Sequence, residues 1–245
     1  MLFSKDGKMG RIIGNMVVRN EAPHYLDQVL ERLSKQVDEI VVTDDASTDN
    51  TVEVARQYTD KINILPEPMF SVHEGKLRQQ SWNFLESVTQ PTSEDWILAI
   101  DADELLFEQE DGLMRKHITD DGLEVISIAF YHMWTPTHFR VDGGWRPHGS
   151  TRLFRYDYNG KFRDSQIASG SEPEFVRWKV ANFRDVFLAT SGLKIKHLSY
   201  IKDEDKQAKY ERYMALDQGN FHALSHIKSI ADPISAVSLV EWAED

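Results

Sequence analysis

The stretch Asp95-Trp-Ile-Leu-Ala-Ile-Asp-Ala-Asp-Glu104 joins an apolar segment of strand length to a cluster of carboxylates. Residues 97–100 are expected to lie inside a sheet, and Asp101, Asp103 and Glu104 then follow at its edge. Burying such a cluster without a counter-ion would cost more free energy than a fold can supply. The cluster therefore needs solvent, a basic partner or a divalent cation, and carboxylate oxygens suit Mg²⁺ or Mn²⁺. A solvated acidic turn and a cation site both stay open from this stretch alone.

Composition is that of a globular protein whose length suits one large α/β domain. The chain has 245 residues, of which 41% are hydrophobic, and a formal net charge of −12. This charge argues against sequence-independent binding to nucleic acid or anionic lipid. Because cysteine is absent, histidine and carboxylates are the strong metal ligands that remain. With neither an apolar run long enough to span a bilayer nor a signal-peptide pattern at the start, we expect no transmembrane segment and a cytoplasmic location.

Strand and helix patterns alternate through the first hundred residues. The spacing of apolar residues predicts strands over 11–18, 39–43, 61–65 and 95–100, and helices over 24–36, 50–58 and 77–88. Asn50, with Glu53 three residues later, is typical of a capping box at the second helix. This alternation predicts a mostly parallel, doubly wound sheet.

Three polar clusters follow three of these strands: Arg19-Asn20-Glu21, Asp44-Asp45 and Asp101-Ala102-Asp103. In open α/β sheets, ligands bind beyond the carboxyl ends of the strands. We therefore expect the three clusters to converge on one site, although they are far apart in sequence.

The second half of the chain is less regular. Apolar patterns predict strands over 124–134, 151–156 and 193–200, the last carrying His197. Residues 163–175 are polar and predicted to be irregular. A helix is predicted over 203–217, and the apolar residues after Ile227 recur at near-helical intervals and are expected to pack back on the body. Arg152 and Arg155 share one strand face, where they either bind phosphate or pair with carboxylates.

Three segments together resemble the family 2 glycosyltransferases of the GT-A fold: Asn20-Glu21, Thr43-Asp-Asp-Ala-Ser-Thr-Asp-Asn-Thr51 and Ile100-Asp-Ala-Asp103. Gly143-Gly-Trp145 and Thr151-Arg-Leu-Phe-Arg155 are similar to the branch that adds sugars to lipopolysaccharide cores and related surface glycans. The resemblance implies an α/β GT-A fold, that is, a Rossmann-like mixed, mostly parallel sheet flanked by helices, with a C-terminal helical tail. It implies one domain over 1–245, with a nucleotide-binding half (11–103), an acceptor-binding half (104–200) and the tail (201–245).

The activity implied by this resemblance is inverting, metal-dependent transfer of a sugar to a hydroxyl of a glycan or surface polymer. The implied donor is a UDP-sugar such as UDP-glucose, with Mn²⁺ or Mg²⁺ on the diphosphate. Asp103 is then the direct metal ligand, His197 completes the metal site, and Asp45 accepts a hydrogen bond from uracil. The donor-binding residues implied are Val17, Arg19, Asn20, Glu21, Asp45, Lys76, Arg78, Asp101, Ala102 and Asp103. From the strand pattern alone, a lone histidine is more often a hydrogen-bonded core or edge residue than a ligand, and it is the resemblance that makes ligation by His197 an equal alternative.

The general base is the least determined part of this prediction. Inverting transfer needs a carboxylate that takes the proton of the acceptor hydroxyl. The related branch carries a His-Glu pair after the Arg-Leu-Phe-Arg strand, and residues 162–175 here contain no such pair. Asp164, Glu172 and Glu174 are the candidates, and each is alternatively a solvated loop charge.

Two other functions fit parts of the sequence. The missing His-Glu pair is compatible with a non-catalytic glycan- or nucleotide-binding module on the same fold. An Asp-x-Asp motif at a strand end also occurs in haloacid-dehalogenase-like phosphatases, although that family places it on the first strand. The oligomeric state stays open, and a homo-oligomer is among the states that the sequence allows.

Overall fold

The computed structural model describes residues 10–119, 122–166, 170–182, 186–187, 192–217 and 222–243. The strands in these ranges are β1 Ile12–Val18, β2 Glu39–Asp44, β3 Ile62–Ile64, β4 Trp96–Ala99, β5 Glu104–Glu108, β6 Val125–His132, β7 His138–Arg140, β8 His148–Arg155, β9 Val186–Phe187, β10 Leu193–His197 and β11 Leu239–Glu241. The helices are α1 Leu26–Leu33, α2 Thr51–Ala55, α3 Phe70–Thr89, α4 Leu113–Ile118, α5 Glu174–Ala181, α6 Asp203–Leu216 and α7 Leu224–Ser229.

One mixed sheet organises the molecule, with the strand order β3-β2-β1-β4-β8-β6-β10-β5 and β9 paired to β6. The strands β1 to β4 pair in parallel, as the alternating pattern predicted. β8 runs antiparallel between β4 and β6, and β5 runs antiparallel to β10. The predicted mixed, mostly parallel sheet flanked by helices is confirmed, and the carboxyl ends of β1, β2 and β4 meet at one edge.

Helices cover both faces of the parallel half. On one face, Ile12 and Met16 of β1 pack in the same buried cluster as Leu30 of α1. On the other face, Ile13 of β1 packs with Trp82 of α3. Because β1 is buried on both faces, its sequence is apolar nearly throughout, as is usual for a parallel strand inside an α/β sheet.

Helix α3 begins at Phe70, earlier than the predicted start at residue 77, and it is kinked at His73. His73 has non-helical backbone angles (φ −161°, ψ 81°), so the helical hydrogen bonding restarts after it. The N–H groups of Glu74 and Gly75 donate to the carbonyls of Gln166 and Ser165, each over 3.0 Å. These carbonyls satisfy donors that the restarted helix would otherwise leave unpaired.

The predicted capping box at α2 is wrong. The side chain of Asn50 makes no capping hydrogen bond. Instead, Asp49 Oδ1 accepts hydrogen bonds from the Thr51 N–H (3.0 Å) and the Thr51 hydroxyl (2.6 Å). The carboxylate of Asp49, one residue before Asn50, therefore accepts a hydrogen bond at the helix start, where Asn50 was predicted to do so.

The C-terminal tail is helical in α6 and α7, but the helical spacing after Ile227 does not continue as helix. Pro233 follows α7 and cannot extend it, since proline has no N–H to donate. Residues 239–241 instead form β11, which pairs with β7. Trp145 Nε1 donates to Ser229 Oγ (2.9 Å), so the tail packs back on the body as expected. Among the helices described, none is both long enough and apolar enough to cross a membrane.

Candidate active site

A cavity of about 680 Å³ opens at the sheet edge where β1, β4, β6 and β10 end. Its wall contains eight of the residues predicted from the resemblance to bind the donor: Val17, Arg19, Glu21, Asp45, Arg78, Asp101, Ala102 and Asp103. The second half of the chain contributes, among others, His132, His148, Arg152, Ser171, His197, Ser199, Lys209, Tyr213 and His226. The sheet therefore brings the three polar clusters to one site, as expected.

Asp101 lies between two guanidinium groups. Its Oδ1 is 3.2 Å from Arg78 Nη1, and its Oδ2 is 3.6 Å from Arg152 Nη2. The hydroxyl of Ser171 also donates to both carboxylate oxygens, over 3.2 and 3.3 Å. Burial alone would raise the pKa of Asp101, but the two arginines outweigh it and hold that pKa below its ordinary value. Much of the charge of Asp101 is thus balanced inside the protein.

Glu104, the third carboxylate of the cluster, is 1% exposed and holds the turn together. Its carboxylate is paired with Arg152 and accepts a hydrogen bond from the Asp101 N–H over 3.1 Å. Arg152 therefore pairs with carboxylates, which is one of the two predicted alternatives, and it also lines the cavity; phosphate binding stays a prediction. Arg155 lies 3.6 Å from Glu94 and is not among the cavity residues.

Asp103 faces a different set of partners. Its Oδ2 lies 3.1 Å from His197 Nε2 and 3.9 Å from Lys209 Nζ. Although burial opposes ionisation, His197, Lys209 and Ser199 together hold the pKa of the Asp103 carboxyl far below its ordinary value. Asp103 is therefore an ionised carboxylate at neutral pH.

The closeness of Asp103 and His197 follows from strand pairing. β5 begins directly after Asp103, and its first residue, Glu104, is paired with His197 at the end of β10. The N–H of Leu198 then donates to the carbonyl of Asp103 over 2.8 Å. His132 Nδ1 lies 2.9 Å from His197 Nδ1, so one imidazole must donate to the other, which orients the His197 ring.

The end of the cavity nearest β2 is built around Asp45, which is fully buried. Its two carboxylate oxygens accept hydrogen bonds from the N–H groups of Met69 (2.6 Å) and Phe70 (3.0 Å), where α3 begins. Arg19 donates to the Asp45 carbonyl over 2.9 Å. Asp45 therefore fixes α3 against β2, and each of its oxygens keeps a second lone pair for a further donor.

Glu21 lines the same cavity and lies near enough to Asp103 to feel its charge. Burial, reinforced by the nearby charge of Asp103, raises the pKa of Glu21 to about 8. The neighbouring Asn20 adopts a left-handed conformation (φ +53°), and its Oδ1 accepts a hydrogen bond from the Thr48 N–H. Asn20 is not among the residues that line the cavity, so its described contacts link β1 to the loop after β2.

Comparison with known sequences gives the family. Residues 16–173 match the family described as Glycosyl transferase family 2. The chain belongs to this family. A curated relative named "Uncharacterized glycosyltransferase", from Rickettsia felis, is 35% identical over 101 residues. That match covers 41% of this family 2 chain and only 31% of the relative's own length.

Solved structures with the same fold include chains of S. aureus TarS. The TarS 1–349 structure superposes with a TM-score of 0.50 and 19% identity, covering 90% of this chain and 69% of that one. The same TarS segment in complex with UDP-GlcNAc gives a TM-score of 0.50 and 18% identity, with 90% and 70% covered. At this level of identity the likeness concerns the fold alone, and it supports the GT-A architecture of the family 2 glycosyltransferase.

Some predicted site residues of this glycosyltransferase lie outside the cavity wall. Lys76 is exposed on α3 and does not line the cavity. The side chain of Asp164 is 81% exposed and its Oδ1 lies 2.9 Å from His73 Nε2. Glu174 is half exposed, and its carboxylate lies 3.7 Å from Arg163.

None of the three candidate bases is among the residues that line the cavity, and Glu172 is the one that directly follows lining residues in the chain. Its side chain is 15% exposed and lies 3.4 Å from Arg177. The two residues before it, Gly170 and Ser171, line the cavity. Burial raises the pKa of the Glu172 carboxyl, although Arg177 and Arg152 oppose this.

The residues present fit a divalent cation as part of a larger site. The Asp103 and His197 atoms that face each other are 3.1 Å apart, as two neighbouring ligands of one small cation would be. No group of three or more potential ligands exists among the described residues. Mg²⁺ and Mn²⁺ commonly take one or two protein ligands, with the remaining positions filled by phosphate oxygens and water. The donor set therefore suits a cation that arrives with a diphosphate.

Several cavity residues were missed from the sequence. Ser171 and Ser199 carry no distinctive signal, because lone serines occur throughout loops. Lys209 stands in the strongly charged segment 203–212, where nothing distinguishes one lysine from its neighbours. Only the packing of α6 against the end of β10 shows which of these charges faces the carboxylates.

Proposed function

We propose that the chain catalyses inverting transfer of a sugar from a UDP-sugar to a hydroxyl of a glycan or surface-polymer acceptor. The observation that supports this most is the pair Asp103–His197, which lies in a cavity at the carboxyl ends of the strands of a family 2 chain. TarS, on the same fold, has been solved with UDP-GlcNAc, so UDP-sugars are the first donors to test, UDP-glucose among them.

In this proposal Asp103 and His197 hold Mn²⁺ or Mg²⁺. When bound, such a cation supplies Lewis-acid neutralisation of the charge that develops on the diphosphate. Arg78 and Arg152 position Asp101, which would lie near the ribose. Asp45 and the backbone near Val17 and Arg19 would hold the uracil.

The reaction breaks the bond between the anomeric carbon and the diphosphate oxygen, and it forms a bond from the acceptor oxygen to that carbon. UDP leaves with the electron pair of the broken bond, and the acceptor hydroxyl loses its proton to a base. We propose Glu172 as this base, since its side chain is only 15% exposed and follows two cavity residues, whereas Asp164 and Glu174 are much more exposed. Its raised pKa brings it closer to the value that suits a base at neutral pH.

The acceptor would enter at the end of the cavity lined by His148, His222 and His226. These residues come from β8 and from the tail, so the tail contributes to the acceptor side in this proposal. The family assignment argues against the phosphatase alternative, which would require a different fold with its motif on the first strand.

The central experiment measures thermal unfolding with UDP, UDP-glucose and UDP-GlcNAc, in Mn²⁺ and in EDTA. Ligand at a hundredfold excess over its Kd should stabilise the protein by about 2.7 kcal/mol. Asp103→Asn should abolish the Mn²⁺-dependent part of this stabilisation and reduce turnover about 10²–10³-fold. If no nucleoside diphosphate stabilises the wild-type protein in either condition, the proposed function is wrong.

The base is tested by Glu172→Gln, with Glu174→Gln and Asp164→Asn as matched controls. Glu172→Gln should lower kcat at least about 10²-fold while leaving the Kd for UDP unchanged. The two control variants should keep wild-type rates. A wild-type protein that binds UDP-sugar but shows neither transfer nor hydrolysis would instead favour the binding-module alternative.

A further inference from the structure

Lys209 places an ammonium group beside the proposed cation ligands. It lies on α6, its side chain is 15% exposed, and it lines the cavity. Its Nζ is 2.5 Å from Ser199 Oγ and 3.5 Å from His197 Nε2. The distance of 3.9 Å to Asp103 Oδ2 is too long for a hydrogen bond.

Lys209 forms a long ion pair with Asp103 and one short hydrogen bond to Ser199, which leaves further protons of its ammonium group for a ligand. Asp101 has its own pair of guanidiniums, from Arg78 and Arg152. Asp103 is in hydrogen-bond contact with His197, and Lys209 stands just beyond hydrogen-bond range on the same side. An ammonium group has three protons to donate, and an anionic oxygen that entered beside Asp103 would accept one of them.

We propose that Lys209 binds a diphosphate oxygen of the donor and gives the site affinity for UDP without a divalent cation. The inference rests on the proposed function, because it assigns Lys209 to the same donor site. Lys209 then supplies a fixed positive charge next to the position of the cation, and the two together balance the diphosphate.

The test compares the Kd of UDP and of uridine by calorimetry, each in EDTA and in Mn²⁺. The variants are Lys209→Met and, as a matched control, Lys206→Met. Lys206 is also a buried lysine of α6, but its Nζ pairs with Asp203 over 2.6 Å and it does not line the cavity. Uridine has no phosphate, so its affinity reports on the nucleoside end alone.

We expect wild-type protein to bind UDP in EDTA, and Lys209→Met to weaken this binding about 10–100-fold, as the loss of one charged hydrogen bond predicts. Uridine affinity should stay unchanged, and Lys206→Met should behave as wild type. If Lys209→Met does not fold, Lys209→Gln, which removes the charge and keeps a donor, is measured in its place.

Three results would overturn the inference: no UDP binding by wild type in EDTA, equal UDP affinity in the Lys209 and Lys206 variants, or an equal loss of uridine affinity. Binding of UDP in Mn²⁺ alone would reject the role of Lys209 and leave the proposed function standing. Absence of UDP binding in both conditions would reject the proposed function itself.

Discussion

Asp101 and Asp103 stand two residues apart, yet their charges meet different partners. Asp101 is held by Arg78 and Arg152, which are themselves buried. Asp103 contacts His197, whose pKa burial lowers, and it lies 3.9 Å from the ammonium group of Lys209. Coulomb interactions are strong at such short range in a poorly solvated site. This difference in partners is the reason why we assign the proposed cation to Asp103 rather than to Asp101.

Glu21 gives a prediction about pH. Its pKa is about 8 in the folded protein, against an ordinary value of 4.5 for a glutamate in water. Because the folded state holds this proton more tightly, the associated stability is complete below about pH 4.5 and is lost as pH rises towards 8. Glu21→Gln removes this loss, so we expect the variant to be more stable than wild type at pH 8.5 and equal to it near pH 4.5.

The measurement is the urea midpoint at pH 4.5, 6.5 and 8.5, with the exposed Glu53 changed to Gln as the control. Every other titrating group is shared by the three proteins. Parallel pH profiles for wild type and Glu21→Gln would contradict the prediction.

Among the elements, the kinked helix α3 does most to connect the two halves of the site. Its restart at Glu74 depends on carbonyls of the loop 163–166, and one turn later it presents Arg78 to Asp101. Further along the chain, Ser171 also donates to Asp101. A displacement of residues 163–166 would therefore reach Asp101 through helix α3 and Arg78.

Gly75→Ala tests this coupling. A Cβ at residue 75 would lie 2.0 Å from the carbonyl oxygen of Arg163, so the backbone must shift. We expect a loss of about 1–3 kcal/mol in unfolding free energy and weaker UDP binding, both measured against Gln80→Ala, at an exposed position of the same helix. A gain of about 0.4–1 kcal/mol, the usual result of Gly→Ala where the backbone fits, would show that the close approach does not matter.

The sequence predicted some strands and helices better than others, and the reason is physical. β1 to β4 were predicted because their apolar runs and the intervening helical periodicities are local signals. β5 was not predicted, since Leu105-Leu106-Phe107 is a short apolar run between acidic residues and its partner β10 is remote in sequence. Asp103 was recognised from a motif, whereas Lys209 faces it only because of tertiary packing.

At the scale of the whole molecule, the C-terminal tail packs against the rest of the fold. Ile230 packs with Trp134, Trp145 and Tyr200 in one buried cluster. Arg140 donates to the Ser229 carbonyl over 2.7 Å and pairs with Asp232 over 2.7 Å. The cluster lies under the end of the cavity assigned to the acceptor, so tail packing and acceptor binding should be linked.

Two isoleucines of the tail allow a matched comparison. Ile230 is 1% exposed and Ile234 is 55% exposed. Ile230→Ala should lower the unfolding free energy by about 2–5 kcal/mol, because it leaves a cavity among the aromatic rings. Ile234→Ala should change it by no more than about 0.5 kcal/mol. Chemical denaturation measures both, and similar values for the two variants would mean that the tail is not docked as described.

The pairing of β5 with β10 also determines when, during synthesis, Asp103 and His197 can come together. Asp103 and His197 are separated by 94 positions in the chain. At a translation rate of about 5–20 residues per second, β10 leaves the ribosome roughly 5–20 s after the parallel strands are made. During that time, residues 101–104 of the nascent chain must stay solvated. The cavity is complete only after α6 has also been synthesised.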